Sequence, residues 1–315
     1  MDSADYLEWP FFEPRHRALN DKLAVWTASH QPLLDSNGHD IERVTRAIAA
    51  ELGNAGWLRY LVPATLGGPL PAIEVRSLCL IRESLAFHSG IADCAFAIQG
   101  LGSAPLTLFG NAALKQKYLP GMIEGKRLGA FALSEPESGS DVARLRTAAR
   151  RDGDGYVLNG AKTWISNAGI ADHYIVFART GEPGDAKGLA AFVVDAGTPG
   201  LAITEKIGIV APHVIGTLIF NDCRVDASAL LGEPGEGFRI AMSTLDIFRA
   251  TVGAAALGFA RRALHEAIDR VGRREVFGQK LAQFQATQMR IADMAVEVDA
   301  AALLVYRAAW TKDTQ

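Results

Sequence analysis

The 315-residue chain is 49% hydrophobic and 21% charged, with a formal net charge of −3. This is ordinary globular composition, long enough for two or three domains with cores, and its near-neutral balance excludes nucleic acid as a bulk electrostatic partner. No continuous apolar run reaches bilayer-spanning length; the nearest, ATVGAAALGFA, ends at Arg261 and Arg262, so no membrane span is expected.

The N-terminus, MDSADYLEWPFFEPR, is acidic and aromatic, unlike a secretory signal or a transit peptide. Residues 13–127 read as helical. RHRALNDKLAVWTASH, IERVTRAIAAELGNAGW and AIEVRSLCLIRESLAFH each place apolar residues at three- and four-residue spacing. Asp40 is positioned to cap the second segment and LGNAG to stop it. LVPATLGGPLP is turn-rich, and NAALKQKYLPGMIEGK reads as a short helix, a proline break and a further turn.

From Leu128 to about Leu231 the pattern changes. LGAFAL, RTAARRDG, GYVLNGAKTWIS, HYIVFART, GLAAFVVDA, LAITEKIG and GTLIFNDCRV are short β-rich runs divided by DGDG, NG and GTPG. That is the spacing of an all-β domain, a barrel or sandwich. After GEPGEG the chain reads as helical to its end, in two segments longer than typical globular helices. With no βαβ alternation, the expected class is α+β: an N-terminal helical domain (1–127), a middle β domain (128–231) and a C-terminal helical bundle (232–315) left incomplete. Cys79, Cys94 and Cys223 are scattered, odd in number and in no CxxC pair, which suits reduced thiols in a cytoplasmic protein.

The usual chemical signatures are missing. No G-x-G-x-x-G joins a strand to a helix, and there is no Walker A loop or G-x-S-x-G elbow. Seven histidines show no HxH or HxxxH pair, so no metal site is expected. His213 in APHVIG reads as an ordinary surface or turn histidine, and GEPGEG as a plain loop.

Against that background ALSEPESGSD (132–141) stands out, because an apolar run ends in a knot of hydroxyls and turn formers. Taken alone it is a chain reversal. Taken with YVLNGAKTWISNAG, RREVFGQKLAQFQATQ and LVPATLGG, in this order around a β domain, it closely resembles the acyl-CoA dehydrogenase family of flavoproteins from about residue 15 onward. The pattern E-P-x-x-G-S-D, then N-G-x-K-x-W-I-[ST]-N, then R-x-x-F-G with a following F-Q, is specific as a set.

The resemblance implies FAD as cofactor. Leu133 and Ser134 stand where family members bond the flavin pyrimidine edge, and Ser140 where they contact acyl-CoA. Trp164 matches the indole covering one flavin face, and Ser166 the hydroxyl bonding N5. Arg274 matches the arginine that grips the pyrophosphate across a subunit boundary, with Phe277 in the same motif; Phe284 and Gln285 match the F-Q pair near the cofactor. Glu135 reads as a structural turn residue. Without the resemblance, Trp164 would be a core tryptophan, Ser166 a turn serine, and Arg270, Arg273, Arg274 and Lys280 a solvated helix end.

The implied reaction is α,β-dehydrogenation of an acyl-CoA, or acyl-carrier, thioester in fatty acid metabolism. A carboxylate takes the α-proton, the β-hydrogen leaves as hydride to flavin N5, and electrons pass to an electron-transfer flavoprotein. A homotetramer built as a dimer of dimers, or a heteromer, is implied. No catalytic base is identified. One family position for it falls after the last helices and is not reached by YRAAWTKDTQ; the other, in L-D-x-E-R, reads LDIFR with Phe248 in place of the glutamate. Phe248 itself reads as a core phenylalanine. Arg249 either pairs with Asp246 across one turn or reaches the CoA. Three readings stay open: a piece of a longer dehydrogenase, a non-catalytic flavin- and acyl-CoA-binding subunit with a base-bearing partner, or a flavin oxidase or monooxygenase on the same fold.

Overall fold

The computed structural model describes residues 5–36, 40–181, 185–211 and 213–315. The first residues of the N-terminal stretch and Pro212 of APHVIG lie outside them. The helices are α1 (Pro14–Ser29), α2 (Gln31–Leu34), α3 (Ile41–Asn54), α4 (Val75–His88), α5 (Gly90–Phe109), α6 (Ala112–Ile123), α7 (Gly237–Arg273) and α8 (Gln285–Thr314). The strands are β1 (Gly129–Ala132), β2 (Ala148–Asp152), β3 (Gly155–Ser166), β4 (His173–Arg179), β5 (Leu189–Asp195), β6 (Leu201–Lys206), β7 (Ile215–Asp226), β8 (Leu230–Leu231), β9 (Glu275–Val276) and β10 (Gln279–Lys280). Helices, then a sheet, then helices is the α+β arrangement expected.

The chain divides into two compact units. One comprises residues 1–35, 74–93 and 249–315. Among the described residues its regular structure is helical apart from the β9–β10 hairpin, and a buried polar network ties its helices together. Asp313 near the end of α8 accepts from the Val75 and Arg76 amides at 2.6 and 3.0 Å and from Arg76 Nε at 2.8 Å. These amides belong to the first turn of α4, whose N–H groups have no partner within the helix. Glu74, just before α4, receives Arg15 at 2.8 Å, His16 Nε2 at 3.1 Å and the Ser77 hydroxyl. Arg82 on α4 grips Asp93 through two bonds of 2.7 and 2.8 Å, and its third nitrogen donates to Thr251 at 3.0 Å.

The other unit comprises residues 36–73 and 94–248. Its centre is an eight-stranded sheet in the order β6-β7-β3-β2-β4-β5-β8. β1 lies parallel to β4 along Gly129–Ala132, and β2 meets the same edge of β4 further on, at Arg179. One buried cluster holds Tyr174, Val176, Phe192, Leu158, Leu218 and Phe220, whose alternation along β4, β5, β3 and β7 puts them on one face. Ile175, Phe177 and Val193 point the other way and pack with Leu114, Tyr118 and Met122 of α6 and Ile240 and Ala241 of α7. Asp40 caps α3 as expected, accepting from the Arg43 amide at 3.0 Å.

Three local expectations need correction. Pro120 does not break α6, which runs on to Ile123; so close to the helix end, the missing N–H costs a single bond. The C-terminal region is not helical throughout. REVFGQK forms the β9–β10 hairpin, turning on Phe277 (φ 51°) and Gly278 (φ 77°), both left-handed as a two-residue hairpin turn demands. Finally, α5 and α7 are each long and apolar enough, by length and composition, to cross a membrane. Glycine, serine and threonine interrupt the apolar runs in the sequence without lowering the helix average enough to exclude them. The apolar window of α5 is 78% buried inside the protein, as a core helix would be, and that of α7 is 44% buried.

Candidate functional site

The stretch that follows β1 is held from beneath by a buried ion pair. Glu135 and Ser138 exchange backbone hydrogen bonds of 2.8 and 3.1 Å, folding Pro136 and Glu137 into a tight turn. The Glu135 carboxylate points inward. It accepts the Arg146 amide at 2.6 Å, the Thr147 amide at 2.9 Å and the Lys162 ammonium at 2.8 Å. Lys162, fully buried on β3, also donates to the Leu133 carbonyl at 3.0 Å. Burial pushes the lysine down to about 8 even against the glutamate. Burial pushes Glu135 up, but Lys162 and the amides outweigh it and hold the carboxyl below its ordinary value. Both groups are therefore charged at neutral pH. Glu135 and Lys162 clamp β1, the turn and β3 to one another.

Around this clamp the expected residues that follow β1 meet those of β3. The Thr163 amide donates to the Ser134 carbonyl at 3.0 Å, which sets Ser134 beside the Thr163–Trp164 segment. The Ser134 hydroxyl, half-buried, has no hydrogen-bond partner among the described residues. A register shift between Lys162 and Ile165 bulges β3 against β7. Trp164 sits in that bulge at φ 60° with 58% of its surface exposed. A bulky residue at positive φ costs roughly 1–3 kcal/mol, and here no burial of the indole offsets it. Asn167 is also left-handed, at φ 65°, and bonds the Val214 carbonyl through its amide at 2.9 Å and the Gly129 carbonyl through Nδ2 at 3.1 Å. Ser166 lies between these two left-handed residues, so its backbone is fixed from both sides. Ser140 is exposed at the outer end of the same turn.

The sequence reading missed two contributors. Lys162 lies inside the N-G-x-K-x-W-I motif, whose pattern alone discloses no task for it. His213, read as an ordinary turn histidine, has Nε2 3.0 Å from the Ser166 hydroxyl, a contact spanning 47 residues that no local pattern discloses. Burial lowers the His213 pKa, so its ring is neutral at pH 7.

The other expected residues belong to the helical unit. The Arg274 backbone closes the hairpin, its carbonyl accepting from the Leu281 amide at 2.9 Å. The Arg274 guanidinium is exposed and has no partner among the described residues. Phe277 at the hairpin tip is 94% exposed. Phe284 precedes α8 and Gln285 opens it. Arg249 is exposed on α7 and makes no ion pair among the described residues, contrary to the pairing that was one reading of it. Phe248 is 4% exposed, and its ring closes on Gly100, where a Cβ would stand 2.5 Å from it. It is a core residue, and no carboxylate occupies that position. Among the described residues no cluster of three or more histidine, cysteine or carboxylate side chains could hold a metal ion.

The chain as a whole has counterparts among known proteins. The acyl-CoA dehydrogenase N-terminal domain profile matches residues 13–126, the middle domain profile residues 130–223 and the C-terminal domain profile residues 235–315. The chain is 42% identical over 243 residues to the short-chain-specific acyl-CoA dehydrogenase of Megasphaera elsdenii, an alignment covering 76% of this chain and 63% of that relative. It superimposes on butyryl-CoA dehydrogenase from Megasphaera elsdenii with a TM-score of 0.86 at 33% identity, covering 96% of this chain and 80% of that one. The FAD complex of PigA gives a TM-score of 0.86 at 27% identity over the same shares. The chain belongs to the acyl-CoA dehydrogenase family.

Proposed function

We propose that this protein takes part in FAD-dependent α,β-dehydrogenation of an acyl-CoA thioester, passing electrons to an electron-transfer flavoprotein. The observation that carries this reading is Trp164, a strained and exposed indole with no structural reward, placed two residues from a constrained serine hydroxyl. The residues fit a flavin. Ser134 offers an unpartnered hydroxyl, and Trp164 offers a free aromatic face. FAD, when bound, supplies the acceptor for the β-hydride. Leu133, Ser134, Trp164 and Ser166 would hold its ring system. Arg274, with Phe277, Phe284 and Gln285, would serve the pyrophosphate end of a cofactor bound by a neighbouring subunit, since an unpaired guanidinium suits phosphate oxygens. Ser140 and Arg249 would contact the thioester or its CoA. The relatives named for short-chain and butyryl-CoA substrates favour a short acyl chain.

A cytoplasmic homotetramer and three segments at 1–127, 128–231 and 232–315 belong to the same reading. The buried Phe248 favours a second reading beside it, a flavin- and acyl-CoA-binding subunit whose base comes from a partner. The test is product formation. FAD-loaded protein, butyryl-CoA and an electron-transfer flavoprotein should together yield the 2-enoyl thioester by mass spectrometry. Flavin and thioester binding without product would select the non-catalytic subunit, and failure to bind either would contradict both readings.

A further inference from the structure

The hydrogen bond between His213 and Ser166 gives the histidine a task. Ser166 closes β3 opposite Ile215, which opens β7. The Asn167 amide then bonds the Val214 carbonyl at 2.9 Å, locking the residue after Ser166 to the residue after His213. Left-handed backbone at Trp164 and Asn167 flanks the serine. The two side chains therefore leave points on the chain that are already fixed to each other, and they meet at 3.0 Å. Neither Ser166 Oγ nor His213 Nδ1 has another partner among the described residues.

A serine hydroxyl carries one proton and two lone pairs, and its proton turns to suit its surroundings. If Nε2 is unprotonated it takes the serine proton, and Ser166 presents only lone pairs to anything bound above it. If Nε2 carries the ring's single proton, it donates to Oγ, and the serine proton must point elsewhere. Flavin N5 in the oxidised ring is an acceptor, so the second arrangement is the one that suits a bound flavin. We propose that His213 is a positioning residue, held as the Nε2–H tautomer, that donates to Ser166 Oγ and commits the serine hydroxyl as a hydrogen-bond donor toward bound flavin. This rests on the flavin reading above and extends it to a residue outside the motifs that carry the resemblance.

Two readouts on the full chain test it. Histidine ring ¹⁵N–¹H NMR, assigned with His213→Gln, should show His213 as the Nε2–H tautomer, with its ring signals displaced in Ser166→Ala. An Nδ1–H tautomer, or signals indifferent to Ser166→Ala, would overturn the proposal whether or not flavin binds. In FAD-loaded protein, His213→Leu should lower the oxidised-to-reduced flavin ratio at fixed potential about tenfold, a rise of about 30 mV for a two-electron couple, because the committed donor favours the oxidised ring whose N5 accepts. His213→Gln, which keeps an N–H donor, should restore most of the shift. An unchanged midpoint in His213→Leu overturns the proposal. A chain that takes up no FAD sinks the flavin reading instead, and the ring tautomer still decides the role of His213.

Discussion

Trp164 and Glu135 show how differently single residues contribute here. At Trp164 the backbone is strained and the side chain exposed, so the fold gains nothing from the indole. Trp164→Gly should stabilise the flavin-free protein slightly, by up to about 1 kcal/mol, because glycine adopts φ 60° without a Cβ clash. The same change should weaken FAD binding, and thermal melts with and without FAD would show the two effects moving in opposite directions. Glu135 is the reverse case. Glu135→Gln would leave the Lys162 ammonium buried without its counter-charge, a loss on the order of 3–5 kcal/mol. Urea denaturation would measure it; a loss under about 1 kcal/mol would show that the pair does not hold the turn. The motif letters around both residues were legible in the sequence. Their opposite energetic roles were not, since these depend on a β-bulge at Lys162–Ile165 and on the burial of Lys162.

Helix α4 shows what the sequence conveys about an element and what it withholds. Its apolar spacing announced a helix, but its N-terminus is capped by Asp313, 238 residues away on α8. No local capping pattern reveals such a contact, whereas Asp40 at α3 was legible because donor and acceptor lie three residues apart. Asp313→Ala should cost about 2–3 kcal/mol, leaving the Val75 and Arg76 amides and the buried Arg76 Nε without an acceptor. Glu74 beside it gives the element a pH dependence. Burial pushes its carboxyl up, but hydrogen bonds from His16 and Ser77 and the charges of His16 and Arg15 outweigh that and bring it down to about 2, from an ordinary 4.5. The stability it contributes is thus fully present above about pH 4.5 and is lost as pH falls toward 2, on the order of 3 kcal/mol in all. Comparing urea midpoints at pH 6 and pH 3, Glu74→Gln should lose less stability on acidification than the parent. An equal loss would assign the acid sensitivity elsewhere. The hairpin at Phe277–Gly278 escaped the sequence reading for a related reason, because its strands are two residues each and lie between two long helical patterns.

For the molecule as a whole, the α+β class and the order of its elements followed from a change of hydrophobic period near residue 128 and back near 232. Family membership followed from three motifs in one order. Leu133 and Ser134, just after β1, lie against the Lys162–Thr163 stretch of β3 at the Glu135–Lys162 clamp. What bulk patterning could not convey was the apolar character of α5 and α7 as helices, since polar residues break their sequence into short runs. Nor could it show that the base position in LDIFR is packed shut by Phe248 against Gly100. The central claim is that the end of β3 holds a flavin where an acyl-CoA thioester can reach it. An anaerobic visible spectrum of the FAD-loaded protein, titrated with butyryl-CoA, tests this most directly. The account predicts a saturable change in the flavin band, a shift on binding and bleaching wherever a base is in place. A flavin band indifferent to acyl-CoAs of every chain length, or a protein that retains no flavin, would contradict it.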